Sequence, residues 1–169
     1  MKQNIKVFLD LEDTIINSWL NPTLINVGVI RAWIDSMVET DDAEISIFSF
    51  AIWDDKDKAD FVGTGVKASI EKALNVKVVE WLSVEDMQRI IETWSGFRYV
   101  DRTDFMQLHG KHDAFIKVCL ARDEKNTCVL IDDAVPHRTV IDHARDLTID
   151  LLPLQVLLKQ RLDPVQATL

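Results

Sequence analysis

The chain has few of the features that mark secreted, membrane-bound or nucleic-acid-binding proteins. Only two of its 169 residues are cysteines, and both lie in apolar contexts, KVCLA around Cys119 and TCVLI around Cys128. This setting predicts two buried thiols and argues against a disulfide framework or a zinc site. The opening residues MKQNIK lead into an apolar run without a signal peptide, and no apolar run is long enough to cross a membrane. We therefore expect a cytoplasmic protein without a membrane partner.

Clusters of basic residues are missing as well. The chain has 19 lysines and arginines against 28 aspartates and glutamates, which gives a formal net charge of −9. Such a surface repels nucleic acid, so we expect no nucleic-acid partner. It also repels an anionic substrate. A phosphate site in this chain therefore has to create its own positive potential, as a divalent cation does.

The chain also lacks internal repeats and low-complexity linkers, and its length suits one core. We therefore predict a single domain over residues 1–169. Apolar, β-prone runs alternate with helical patterns, which predicts an α/β fold. The expected architecture is a Rossmann-like three-layer sandwich with a mainly parallel, five-stranded sheet. The predicted strands are the apolar part of the stretch 5–14 and residues 45–50, 76–81, 127–131 and 147–152.

Local signals predict where some helices begin. Asn21 is the expected N-cap of the first helix, with Pro22 at its first position. Apolar residues in the range 140–144 indicate a short helix before the last strand. Residues 97–110 mix charged and aromatic side chains without a clean period, and whether they form a lid stays open.

Two of the predicted strands end in clustered acids. The first delivers Asp10, Glu12 and Asp13 to the edge of the sheet, and the fourth is followed by Asp132 and Asp133. Sites in such sheets form at the carboxyl ends of strands, so these carboxylates converge if the two strands are neighbours. Buried carboxylates are costly unless they are paired or bound to metal. The acids therefore indicate a site, and a solvated turn is the alternative for the first stretch taken alone.

Four features follow one another in chain order at predicted strand ends and helix starts. They are Asp10-x-Glu12-x-Thr14, Ser49, Lys111 and Asp132-Asp133. Together they resemble the haloacid dehalogenase-like (HAD) superfamily of phosphohydrolases over at least residues 5–133. The resemblance implies a HAD-like fold. The segment between the first motif and Ser49 is too short for a core helix and a cap domain. The longer stretch from Ser49 to Lys111 is filled by helices and a strand that the core needs. We therefore expect an uncapped member, and by resemblance this implies either a large phosphorylated substrate or a lid borrowed in an oligomer.

The resemblance also implies a mechanism. Asp10 is the expected nucleophile, which forms an aspartyl-phosphate, and Glu12 is the expected general acid and base. Asp10, Asp132 and the backbone carbonyl of Glu12 are expected to bind Mg²⁺. Asp133 is expected to bind the metal through water or to orient Lys111. Hard oxygen ligands without a histidine or cysteine cluster suit this ion.

Substrate binding is expected from Thr14, Ser49 and Lys111, with Lys111 also neutralising the nucleophile. Lys117 is a rival for the lysine role, but it lies in mid-helix. The implied activity is hydrolysis of a phosphomonoester, either a nucleotide or another small phosphate ester. A phosphorylated macromolecule is also open as a substrate.

Glu12 is the departure from the family pattern, because most of the phosphatases carry Asp at that position. Glu reaches one methylene farther, and a positioning error near 1 Å can cost about a hundredfold in rate. Two alternatives therefore stay open beside the hydrolase. One is a weak or inactive HAD-like module that binds phosphate or a nucleotide, and the other is a phosphotransferase.

Tryptophans supply a last expectation. Trp19 and Trp53 follow the first two predicted strands, on the side where the site opens. They are candidates for an aromatic clamp around a nucleobase or another ring, with core or rim packing as the alternative. Trp33, Trp81 and Trp94 are predicted to lie in the core.

Overall fold

A computed structural model describes residues 4–39 and 42–162. Residues 1–3, on which the expectation of no signal peptide partly depends, lie outside these ranges. The described strands are β1 (Ile5–Leu9), β2 (Glu44–Phe48), β3 (Lys77–Leu82), β4 (Asn126–Asp132), β5 (Arg138–Asp142) and β6 (Leu147–Pro153). The described helices are α1 (Val27–Met37), α2 (Asp55–Gly63), α3 (Val66–Leu74), α4 (Val84–Ser95), α5 (Arg102–Ala121) and α6 (Leu154–Leu162).

The strands form one sheet in the order β3-β2-β1-β4-β6-β5. All neighbouring pairs are parallel except β5 and β6. The predicted α/β class with a mainly parallel sheet is therefore confirmed. Strand order reverses at β1, because β2 lies on one side of it and β4 on the other. The loops after β1 and β4 consequently meet at the switch point where α/β sheets form their sites.

The predicted count of five strands is wrong, because the sheet has six. The extra strand, β5, covers much of the range that was predicted to be a short helix. It pairs antiparallel with β6, with Val140 opposite Ile149. Ile141 is 57% exposed on this edge strand, so the segment carries too few buried residues to show a two-residue period in the sequence.

The sheet separates two apolar cores, since alternate residues of a strand point to opposite faces. Val7 and Leu9 of β1 belong to the core beneath α1, α2, α3 and α6. Phe8 belongs to the core beneath α4 and α5, where its ring centroid lies 5.0 Å from that of Phe115. Asp10 has the same parity as Phe8, and this directs its side chain toward the α4 and α5 layer.

The first helix does not begin at Asn21 and Pro22, which corrects the prediction. It begins at Val27, with Asn26 as the N-cap in a left-handed conformation. The preceding residues form a narrow hairpin-like loop, in which Ile16 bridges Leu24. Tertiary contacts of this loop outweigh the local helix-start signal, because Ile16 is 1% exposed and belongs to the first core.

Residues 102–109 are helical, and they continue into the helix that starts at Lys111 through a kink at Gly110. Gly110 has φ 63° and ψ 167°, a combination that is essentially confined to glycine. The kink interrupts the helical repeat, so the sequence shows no clean period there. Phe105 before the kink and Phe115 after it are both buried in the second core, and the piece after the kink carries Lys111.

Several smaller predictions have clear outcomes. Both cysteines are buried and free, as predicted. Helix α4 opens with a capping box of Ser83 and Asp86. Trp94 is 42% exposed, so the prediction that it lies in the core is wrong. No described helix is both long and apolar enough to cross a membrane.

Candidate functional site

The site is built on the two central strands. β1 and β4 pair in parallel with Leu9 opposite Ile131, and the N–H of Asp10 donates to the carbonyl of Ile131 at 3.0 Å. This register brings Asp10 and Asp132 side by side at the carboxyl edge. Asp10 is 1% exposed and Asp132 is 0% exposed. The sequence-based condition for convergence, that the two strands are neighbours, is therefore met.

Lys111 supplies the positive charge between these two carboxylates. Its Nζ lies 3.0 Å from Oδ1 of Asp10 and 2.8 Å from Oδ2 of Asp132. The helical piece that follows the kink is anchored in the second core by Ala114, Phe115 and other buried residues. Burial of this face holds Lys111 at the carboxyl edge of the sheet, as the sequence predicted for a lysine opening this helix.

Lys117, the rival lysine, is engaged elsewhere on the same helix. Its Nζ lies 3.1 Å from Oδ2 of Asp113 and 3.3 Å from Nδ1 of His109. The ring of His109 in turn contacts the hydroxyl of Tyr99. Lys117 therefore belongs to a separate polar cluster and is not one of the groups around Asp10.

Thr14 ties the first loop to the second. The backbone N–H groups of Thr14 and Ile15 both donate to the carbonyl of Leu11, which forms a tight turn directly after β1. The Thr14 hydroxyl lies 3.1 Å from Oδ2 of Asp10 and 3.3 Å from Oδ1 of Asp133, and it accepts from the N–H of Asp133 at 3.1 Å. In this arrangement Thr14 positions the carboxylates, and contact with a substrate stays a prediction.

Asp132 and Asp133 are fixed by their own loop. Oδ1 of Asp132 accepts from the N–H of Ala134 at 2.8 Å, and the carbonyl of Asp133 accepts from Nε2 of Gln155 at 2.9 Å. Oδ2 of Asp132 is buried and makes no hydrogen bond of acceptable geometry within the described residues, although it lies 2.8 Å from the ammonium of Lys111. That oxygen has coordination capacity left.

Three carboxylates come close enough to share one cation. Oxygen atoms of Asp10, Asp132 and Asp133 lie within 4.8 Å of one another. Hard carboxylate oxygens and the incompletely bonded Oδ2 of Asp132 fit a hard divalent ion. The side chain of Glu12 is outside this group, and coordination by its backbone carbonyl stays a prediction.

Charge and burial oppose each other in the cluster. Burial and the nearby Asp132 raise the pKa of Asp10 from 3.8 to about 7, although Lys111 acts in the opposite direction. Burial and Asp132 also raise the pKa of Asp133. Burial alone would lower the pKa of Lys111, but Asp10 and Asp132 outweigh it, so the pKa is raised and the ammonium stays charged. The positive charge of Lys111 is thus shared by three carboxylates, so the site favours the binding of a second cation such as a divalent metal ion.

Ser49 follows β2, the strand beside β1, and is 1% exposed. Its Oγ accepts from the N–H of Ala51 at 3.1 Å, which forms a turn at the strand end. Within the described ranges no acceptor takes its hydroxyl hydrogen. Ser49 therefore has a donor to offer at the same edge as Asp10, as predicted for a phosphate-binding residue.

Glu12 lies in the loop after β1, but its side chain is not part of the carboxylate cluster of Asp10, Asp132 and Asp133. Its Oε2 accepts from the N–H of Trp19 at 2.8 Å, and the residue is half-buried. Trp19 packs against the first core rather than standing free at the mouth. The hairpin-like loop therefore holds one oxygen of the Glu12 carboxylate through the Trp19 N–H.

Two supporting residues were missed by the sequence analysis. Nδ2 of Asn26 donates to the carbonyl of Thr14 at 2.9 Å, and Arg102 stacks on Trp53 with its Cζ 4.9 Å from the ring centroid. Asn26 carries a weak signal, since asparagine is common where a residue has positive φ. Arg102 carries none, because its partner lies far away in the sequence.

Comparison of the chain with protein-family models, curated proteins and solved structures finds no match in any of the three.

Proposed function

We propose that this protein is an uncapped HAD-like phosphomonoester hydrolase that depends on magnesium and acts through an aspartyl-phosphate on Asp10. The observation that carries the proposal is the buried pair of Asp10 and Asp132 joined by Lys111 at the carboxyl edge of the sheet. Buried carboxylates of this kind destabilise a fold unless they serve a bound ion or a reaction. Apart from Glu12, the residue types and their order in the chain resemble those of the HAD motifs.

Asp10 would attack phosphorus with one carboxylate oxygen, and the ester oxygen would leave. Lys111 would offset the repulsion between the phosphate and Asp10, while the hydroxyl of Ser49 would donate to a phosphate oxygen. Asp10, Asp132, Asp133 and the carbonyl of Glu12 would hold Mg²⁺, which would supply further positive charge to the phosphate oxygens. Water would then hydrolyse the aspartyl-phosphate and return Asp10 to its starting state.

Glu12 would protonate the leaving oxygen in the first step and take a proton from water in the second. Its carboxylate is tethered to the N–H of Trp19 at 2.8 Å. This bond fixes one oxygen of the group and leaves the other for proton transfer. The loop after β1 therefore restricts where the longer Glu side chain can reach.

A second candidate function is a HAD-like module that binds phosphate without turning it over. The same bond between Glu12 and Trp19 favours it, because it holds the proposed acid outside the carboxylate cluster. In such a module Lys111 and Ser49 would still bind phosphate. A phosphotransferase would differ only in the acceptor that receives the group from Asp10.

A phosphatase screen with magnesium and with EDTA tests the proposal. We expect phosphate release from monoesters with magnesium and none with EDTA. A binding module would stay silent on every ester in both buffers. A phosphotransferase would accumulate label on Asp10 and release phosphate slowly.

Glu12→Gln separates the hydrolase from the binding module more sharply. Without its proton donor the enzyme should slow by about a hundredfold on alkyl phosphates but by much less on an activated aryl phosphate, whose leaving group needs little protonation. The rate ratio between the two esters is the measurement. Glu12→Asp is the matched control: it should stay within about a hundredfold of wild type on both esters and, because it retains the acid, should leave the ratio of the two rates close to the wild-type ratio. An equal effect of Glu12→Gln on both esters would exclude Glu12 as the acid.

A further inference from the structure

We propose that Trp53 is a stacking platform for an aromatic ring on the leaving group, so that the substrates are phosphate monoesters whose ring stands off from the phosphate, as in a nucleoside monophosphate. This inference rests on the proposed hydrolase function and adds its substrate class. It uses a tryptophan that the catalytic arrangement does not need.

Trp53 lies at the correct edge of the sheet and within reach of the phosphate site. It follows Ser49 by four residues, in the loop that leaves the carboxyl end of β2. Four residues span at most about 14 Å when fully extended, and the turn closed by the Ala51 N–H on Ser49 shortens that path. A pentose between phosphate and base fits within this limit, and the comparison with phenyl phosphate below tests whether that spacing is needed.

The ring of Trp53 is held in place before any ligand arrives. Its Nε1–H donates to the carbonyl of Phe50 at 2.7 Å, and its backbone N–H donates to Asp57 at 2.9 Å. The carbonyl of Trp53 accepts from the N–H of Glu85 at 3.1 Å. A ring fixed in this way loses little conformational entropy when a ligand stacks on it.

The ring is contacted by one cation, and a large part of the residue is still exposed. The guanidinium of Arg102 lies over the ring, held by Asp54 at 3.3 Å and Glu85 at 3.2 Å. The Trp53 side chain is 45% exposed, and it belongs to neither apolar core. Among the described residues no other aromatic ring contacts it. This exposure leaves ring surface that a ligand can cover.

Trp19, the other half of the clamp considered from the sequence, packs against the first core. Recognition therefore comes from one platform and not from two opposed rings. Stacking on a single ring tolerates any base, because every base has a π-face. We expect a preference for ring-bearing esters with little discrimination among bases.

The test compares three ligands on variants of the full chain in magnesium buffer. The ligands are adenosine 5′-monophosphate, ribose 5-phosphate and phenyl phosphate. Affinity is measured by calorimetry in the Asp10→Asn background, and kcat/KM is measured with Asp10 intact. Trp53→Ala should lower the affinity and kcat/KM for adenosine monophosphate by at least about fivefold. The same two quantities should change by less than about twofold for ribose 5-phosphate and phenyl phosphate.

Two further variants serve as controls. Trp94→Ala removes a tryptophan of similar exposure, 42% against 45%, and should change none of the three ligands. Trp53→Phe keeps a ring and should retain most of the affinity for adenosine monophosphate. Melting curves confirm that each variant is folded.

The outcomes separate the platform from the hydrolase. If no ester is hydrolysed but adenosine monophosphate binding depends on Trp53, the hydrolase is refuted and the platform stands. If esters are hydrolysed and Trp53→Ala lowers the affinity for all three ligands equally, or for none, the platform is refuted and the hydrolase stands. A loss confined to both ring-bearing ligands would assign the site to aryl phosphates and overturn the stand-off argument. Binding of none of the three would refute the platform.

Discussion

Two aspartates, Asp10 and Asp86, are each nearly buried beside a lysine, and their surroundings act on them in opposite ways. Burial alone would raise the pKa of Asp86, but Lys58 and hydrogen bonds from Ser83 outweigh it, so the pKa is lowered. Nζ of Lys58 lies 2.8 Å from Oδ2 of Asp86, and Nη2 of Arg89 lies 2.5 Å from Oδ1. The pKa of Asp10 is raised to about 7.

The difference lies in how many acids share each cation. Asp86 has two cations and a backbone N–H donor to itself, so its charge is fully compensated and it stabilises the start of α4. Asp10 shares Lys111 with Asp132 in a more deeply buried place. A carboxylate whose charge is only partly compensated can bind a metal ion, which supplies the missing positive charge. A carboxylate whose charge is fully compensated can instead stabilise the start of a helix.

The largest expected effect is the loss of activity in Asp10→Asn. A neutral amide cannot attack phosphorus, so kcat should fall by at least about a thousandfold. Asp86→Asn is the matched control and should keep kcat within about threefold, since that side chain contacts no reacting group. Phosphate release measures both. Residual activity of Asp10→Asn within about tenfold of wild type would refute the nucleophile assignment.

The two lysines sharpen the comparison. Lys111→Ala should lower kcat/KM by about a hundredfold or more, because it removes the charge that offsets the approach of phosphate to Asp10. Lys58→Ala should leave kcat/KM unchanged and lower the free energy of unfolding by up to about 2 kcal/mol. Steady-state kinetics and urea unfolding give the two readouts. The reverse pattern would mean that the roles of the two lysines are exchanged.

Magnesium should stabilise the protein through one cluster only. It binds the folded site and relieves repulsion among Asp10, Asp132 and Asp133, so a concentration about ten times Kd should add about 1.4 kcal/mol to the free energy of unfolding. Calorimetry and melting curves measure binding and stabilisation. Asp132→Ala should abolish both, and Asp86→Ala should abolish neither. No binding at millimolar magnesium would contradict the metal site.

The two acids should also show opposite pH dependences of stability in EDTA. Asp10 has a folded pKa raised from 3.8 to about 7, so its stabilising contribution is present below about pH 3.8 and is lost as pH rises through 7. The stability of Asp10→Asn relative to wild type should therefore increase over that range. Asp86 has a lowered pKa, so its contribution is present above about pH 3.8 and is lost as pH falls through the folded value.

Urea unfolding of wild type, Asp10→Asn and Asp86→Asn across that range provides the measurement. Asp86→Asn should be most destabilised near neutral pH and should approach wild type in acid. Parallel stability curves for the two variants would contradict the opposite shifts.

Much of the fold could be predicted from local patterns. The apolar runs of β1, β2, β4 and β6 are largely buried, so their strand character is visible without tertiary contacts. The edge strand β3 is recognisable from its β-prone residues, KVVEWL. The capping box of Ser83 and Asp86 is equally local, because its bonds join residues three apart. β5 was missed because an exposed edge strand of five residues has no buried period to read.

The sequence by itself determined which residue types lie at the ends of β1 and β4, because strand ends follow from where apolar runs stop. Only the tertiary structure decided that Lys111 lies between Asp10 and Asp132, since that contact needs the parallel register of β1 and β4 together with the kink at Gly110. It also decided that α1 begins at Val27 and not at Asn21, because the loop after β1 buries Ile16 in the first core. Local propensities contribute tenths of a kcal/mol to about one per residue, and burial of one large apolar side chain contributes about 1.5–3 kcal/mol, so packing prevails where the two disagree.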